Sequence, residues 1–91
     1  MSGSPASRRV VIVAYPDVQS LDVTGPLEVF AVANRFGATP AYTTEVVTLA
    51  GGVVRTSSGL GVVADGTTAG CRGPIDTLLV AGGDGTAAAM R

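Results

Sequence analysis

Apolar residues fall along this chain in short continuous runs more than in strict alternation. Residues 10–15 form an unbroken run rich in β-branched side chains, closed by Pro16-Asp17. Such a run predicts a strand covered on both faces, as in a parallel sheet. A second strand is predicted at 44–49, closed by Gly51-Gly52, and short ones at 53–56 and 60–64. A last strand, 76–81, runs into Gly82-Gly83-Asp84-Gly85-Thr86. Asp65-Gly66 reads as a turn, and residues 67–75, with Gly70, Gly73 and Pro74, as irregular chain.

Between the first two strands the period changes. Thr24 or Gly25 suits a helix cap, Pro26 a first turn, and Glu28 the positive end of the helix dipole. Val29, Phe30, Ala33 and Phe36 recur at helical spacing as an apolar face, and Gly37 is a natural stop. These signals predict a helix at about 25–36. A further helix is predicted to begin at 86–91. Strands alternating with helices imply an α/β fold, here an incomplete flavodoxin-like parallel sheet with right-handed crossovers. One helix covers only one face of such a sheet, so the other face is expected to be largely bare. The organisation expected is a flexible leader, 1–8, and the N-terminal portion of one domain, 9–91.

Composition supports a packed domain. Apolar residues make up 46% of the 91, charged residues 14%, and the net charge is −1. A disordered segment shows the opposite balance. The six cations are scattered arginines, so no basic patch for nucleic acid is formed. Ser7-Arg8-Arg9 before an apolar run has the outline of a twin-arginine signal, but the run is too short for a secretory core. No stretch is long enough to span a bilayer. A single cysteine, Cys71, excludes an internal disulfide and suits the cytoplasm. There is no histidine, so the commonest general base and metal ligand are missing. No metal or cofactor is expected.

Two segments are placed to carry chemistry. Ligands of a parallel α/β sheet sit beyond the carboxyl ends of the strands, and Asp22 lies in the loop at that edge. It suits an acid, a base or a hydrogen-bonding anchor; by spacing alone a turn aspartate is the plainer role. Gly82-Gly83 follows the last strand, where glycines turn the chain sharply and aim N–H groups toward a ligand. A tight turn that binds nothing is the alternative. Cys71, in Gly70-Cys71-Arg72-Gly73-Pro74, precedes a strand and lacks the strand-turn-helix setting of a nucleophile. Arg72 is the neighbour able to lower its pKa. Ser57-Ser58-Gly59-Leu60-Gly61 lacks the third glycine of a dinucleotide fingerprint and reads as a turn.

Leu21-Asp22-Val23-Thr24-Gly25-Pro26-Leu27-Glu28-Val29-Phe30, after the strand 11–15, resembles the opening of DJ-1/PfpI domains of the class I glutamine amidotransferase-like superfamily. It most resembles the branch at the N-terminus of AraC-type transcriptional regulators. Residues 56–60 and 76–83 resemble later segments of the same family, so the resemblance covers 9–91. It implies a ligand-sensing domain for transcription regulation, with Asp22, Gly82 and Gly83 lining half of a pocket for an unknown small molecule. It also implies that the nucleophile-position cysteine and the DNA-binding helix-turn-helix lie further along, so this chain alone is expected to bind no DNA and catalyse nothing. A PfpI enzyme, such as an isonitrile hydratase-like protein, is the alternative. Gly82-Gly83-Asp84-Gly85-Thr86 also resembles the nucleotide-binding turn of NAD and diacylglycerol kinases, which would add Asp84. Those kinases have no counterpart of the segment 21–30. A partial sheet with an open edge is further expected to self-associate or fold poorly.

Overall fold

The computed structural model describes residues 7–83. Asp84 and the helix expected at 86–91 lie outside these residues. Seven elements follow in order: β1 (Arg8–Val13), α1 (Ser20–Arg35), β2 (Tyr42–Thr48), β3 (Val53–Arg55), β4 (Gly61–Val63), β5 (Gly66–Thr67) and β6 (Thr77–Val80). Each strand lies within about two residues of its sequence expectation, except β5, which forms where a turn was expected. Arg8, counted with the leader, opens β1 instead.

The main sheet has the order β5-β2-β1-β6, and every pairing in it is parallel. The most continuous apolar run therefore becomes the central strand, flanked on both sides. The short strands β3 and β4 stand outside this sheet as an antiparallel hairpin. Its turn is built on Gly59 at φ 94°, with Thr56 N–H donating to Leu60 O at 2.9 Å. Residues 57–60 are thus a turn, as expected, and Gly61 opens β4.

Alternation along β1 divides the core. Val10, Ile12 and Ala14 face α1 and pack with Val23, Val46 and the half-buried Leu27, Phe30 and Leu79. Tyr15, Val18, Val54 and Ala81 close the end of this layer above the strand termini. Burying a side chain such as Ile12 or Val23 contributes about 1.5–3 kcal/mol each. Tyr42 links three elements. Its ring lies 4.7 Å from that of Phe30 in α1, and the Arg8 guanidinium sits 3.9 Å over it.

The helix differs from expectation in two respects. It begins at Ser20, not near 25, and Pro26 falls in its second turn. Tertiary anchoring explains the early start. Gln19 N–H donates to Gly82 O at 2.8 Å, and Asp22 N–H to Gln19 O at 3.0 Å, so the chain turns into helix as soon as it leaves that anchor. The buried face is also different. Val23, Leu27 and Phe30 face the sheet, at helical spacing, whereas Val29 and Phe36 point outward and are exposed.

The opposite face of the sheet is partly covered. The segment 68–75 crosses it, so Val11 and Val47 are buried. Leu78 and Val80 on β6 remain 57% and 68% exposed. Arg9 holds that segment. Its guanidinium donates to Arg72 O and to Pro74 O at 3.4 Å, and it pairs with Glu45 at 2.5 Å. Asp76 adds a reciprocal pair: Arg9 N–H donates to its carboxylate at 2.6 Å, and Asp76 N–H to Arg9 O at 3.0 Å.

Candidate functional site

The loop leaving β1, the first turn of α1, the hairpin and the turn after β6 meet at the carboxyl edge of the sheet. Four backbone contacts join them. Gln19 N–H donates to Gly82 O, Ser57 N–H to Val18 O at 2.9 Å, and Asp17 N–H to Arg55 O at 2.9 Å. Val18 and Gly83 form an isolated antiparallel bridge. Tyr15 contributes its hydroxyl to Ala81 O at 2.5 Å.

Asp22 is drawn into the same junction. Its Oδ2 accepts the Gly82 N–H at 2.9 Å, across sixty residues of chain. Gln19 is the cap position of α1 and makes no side-chain cap bond, so Asp22 does not serve as a cap. It is a tertiary anchor near the helix N-terminus, where a carboxylate is favoured by the dipole. The bond also decides what Gly82 can offer. That N–H, expected to face a ligand, is committed to Asp22.

Both glycines are required by space. A Cβ on Gly82 would lie 2.9 Å from Asp22 Oδ2. At Gly83, φ is 147°, and a Cβ would fall 2.5 Å from Gln19 N and 2.8 Å from Asp17 O. Gly83 therefore fits because backbone crosses directly over it. Asp17 itself adopts φ 65°, a strained value for a residue with a side chain. Asp22, Gly82 and Gly83 are thus brought together, while Asp84 lies outside the described residues. Sequence reasoning missed Gln19, Val18 and Ser57, whose backbone groups complete the junction. Backbone bonding of that kind leaves no residue-type signature.

Cys71 lies elsewhere. It is half-buried, on the sheet face opposite α1, and Arg9 Nη2, not Arg72, donates to its sulfur at 3.4 Å. It lines a recess of about 170 Å³ with Val11, Val13, Val47, Ile75 and Leu78. This recess is apolar and separate from the Asp22 junction. Arg9 is held further in its charged form, mainly by its hydrogen bond to Glu45. Among the described residues there is no cluster of three or more His, Cys, Asp or Glu that could hold a metal ion. No helix among them is long and apolar enough to cross a membrane.

Three solved structures are similar to this chain in fold. An AraC family transcriptional regulator from Pseudomonas putida superposes with a TM-score of 0.73 at 26% identity, over 84% of this chain and 47% of that one. A ThiJ/PfpI family protein from Pseudomonas syringae gives 0.73 at 26%, over 92% of this chain and 33% of that one. Drosophila melanogaster DJ-1beta gives 0.77 at 20%, over 93% and 43%. The chain has the fold of the DJ-1/PfpI superfamily.

A Streptomyces lividans protein, described as an uncharacterized protein in the cpoL 5′ region, is 46% identical over 76 residues. The match covers 84% of this chain and 52% of that protein, so the chain spans about half the length of its curated relative. No family model matches the sequence. Within the DJ-1/PfpI fold, the segment 21–30 forms the first part of α1, and 76–83 forms β6 and its glycine turn. Two of the three segments that carried the sequence resemblance, 21–30 and 76–83, therefore touch through Asp22 and Gly82.

Proposed function

We propose that the chain forms the N-terminal part of the small-molecule-sensing domain of a cytoplasmic AraC-type transcriptional regulator. The observation that carries this reading is the likeness to the Pseudomonas putida regulator at 26% identity over 84% of the chain. The Asp22–Gly82 junction supports it, because it fixes backbone at the sheet edge where parallel α/β folds take ligands. Asp22, Gly82 and Gly83 form one wall of the pocket. Asp22 acts as the positioning residue that sets the Gly82-Gly83 backbone. The opposite wall and the DNA-binding domain are assigned to sequence following this segment in the same protein. The chain is assigned no catalysis, cofactor or metal.

The test uses the protein translated from the complete coding region. A helix-turn-helix domain, sequence-specific DNA binding and a thermal shift with one member of a metabolite panel are expected. Asp22→Ala should abolish the ligand shift and leave DNA binding intact. A full-length protein without a DNA-binding domain that turns over an isonitrile would overturn this reading. It would establish the enzyme alternative, which the Pseudomonas syringae ThiJ/PfpI protein supports at equal identity.

A further inference from the structure

The peptide group between Ala81 and Gly82 is held from both sides. A peptide unit carries one acceptor, its C=O, and one donor, its N–H. Here the acceptor is Ala81 O, which takes the Tyr15 hydroxyl at 2.5 Å. The donor is Gly82 N–H, which gives to Asp22 Oδ2 at 2.9 Å. Both partners are side chains, and both come from the short span between the end of β1 and the first turn of α1. The backbone of the same span takes hold of the next carbonyl, Gly82 O, through Gln19 N–H at 2.8 Å. Tyr15 is 8% exposed, and a phenol buried to that degree needs a partner for its hydroxyl.

We propose that Tyr15 is a second positioning residue of the pocket wall, acting with Asp22 as a clamp that fixes which way this one peptide points. Its place at a pocket rests on the sensing reading above; the clamp itself is read on the peptide. Glycine makes a clamp necessary. Gly82 has no side chain to bar a positive φ, so the peptide before it turns over more readily than one before a larger residue. The two side chains tell the orientations apart by their chemistry. A carboxylate only accepts, so Asp22 bonds the N–H and repels a carbonyl. Turning the peptide over would set Ala81 O against that carboxylate and take it from the Tyr15 hydroxyl. One orientation is bonded at both ends, and the other sets oxygen against oxygen. The path of the turn follows from that choice, with Gly82 O on Gln19 and Gly83 bridged to Val18. Because both side chains act on one group, their effects are coupled.

Tyr15→Phe tests the proposal, because it keeps the ring and removes only the hydroxyl. The purified chain is prepared with alanine isotope-labelled at its carbonyl carbon and glycine at its nitrogen. Carbonyl-to-amide correlation then reports only the Ala–Gly peptides, Ala50-Gly51, Ala69-Gly70 and Ala81-Gly82. The signal lost in Ala81→Ser is that of the clamped peptide. In Tyr15→Phe this signal is expected to shift in both dimensions, with Gly82 amide exchange faster by about tenfold, as for the loss of one hydrogen bond. The other two signals should stay in place. Tyr15→Phe/Asp22→Ala should speed exchange by clearly less than the product of the two single effects. A clamped signal that does not move in Tyr15→Phe would overturn the proposal. Equal movement of all three signals, the mark of a loosened fold, would overturn it too, as would single effects that simply multiply. The sensing reading fails separately, on a full-length protein without a DNA-binding domain, and that failure leaves these signals unchanged.

Discussion

Asp22 and Gly83 show how a loop aspartate and a glycine become structural. The Asp22 carboxylate takes the Gly82 N–H at 2.9 Å in a partly buried setting. Asp22→Ala leaves that donor without its partner, at a cost of about 1–3 kcal/mol. Asp22→Asn keeps an acceptor oxygen and should cost less. Amide hydrogen exchange at Gly82 checks this. Protection should fall strongly in Asp22→Ala and only slightly in Asp22→Asn. Gly83→Ala should be harsher, because its φ of 147° and the crossing backbone at 2.5 Å leave no relaxed position for a methyl group. A loss of about 3 kcal/mol or more is expected from strain and overlap together, read from the urea midpoint. Both glycines and Asp22 were legible as candidates from their place after strands. That they would contact each other across sixty residues was not, because the pairing depends on β6 lying beside β1.

At the level of elements, the strands were legible and the helix only partly so. The apolar runs of β1 and β6 declare parallel strands directly, and the register bears that out, although β1 is buried at its centre and β6 is an edge strand with Leu78 and Val80 exposed. The helix start was misplaced because Pro26 marks a first turn in isolation. The Gln19–Gly82 and Val18–Gly83 contacts override that preference and start the helix earlier. The inward face was misassigned because α1 has two apolar rows, and periodicity alone does not say which one meets the sheet. Pro26 in the second turn has no N–H to give to the Asp22 carbonyl. Pro26→Ala should therefore stabilise the chain, by about 1–3 kcal/mol, since an interior proline forfeits a helical bond and crowds the preceding turn. A rise in melting temperature with unchanged circular dichroism shape would confirm it. An unchanged or lower melting temperature would mean that the proline is accommodated without loss.

Among the described residues, two apolar surfaces differ in character. The row on α1, with Leu21, Val29, Val32 and Phe36, is narrow and flanked by the exposed Glu28 and Arg35. The sheet face around β6 is broader and lies at the edge strand of the described sheet. There Leu78 and Val80 remain exposed beside an apolar recess, although the segment 68–75 covers Val11 and Val47. The expectation of a bare face was thus correct in kind and too large in extent. What the sequence hid is Arg9. It ties the irregular segment to β1 and β2 through Arg72, Pro74 and Glu45, contacts that no spacing rule anticipates. An exposed apolar patch beside an edge strand binds hydrophobic probes and invites association. The isolated chain should therefore enhance the fluorescence of anilinonaphthalene sulfonate while keeping its native circular dichroism. Leu78→Lys/Val80→Lys should remove most of that enhancement, and Val32→Glu should leave it largely in place. Equal loss in both variants would mean that the probe follows general loosening of the fold and not this face. Arg9→Ala should act in the opposite direction. Freed from Arg9, the segment 68–75 would lift from Val11 and Val47, and probe binding should rise above that of the wild type.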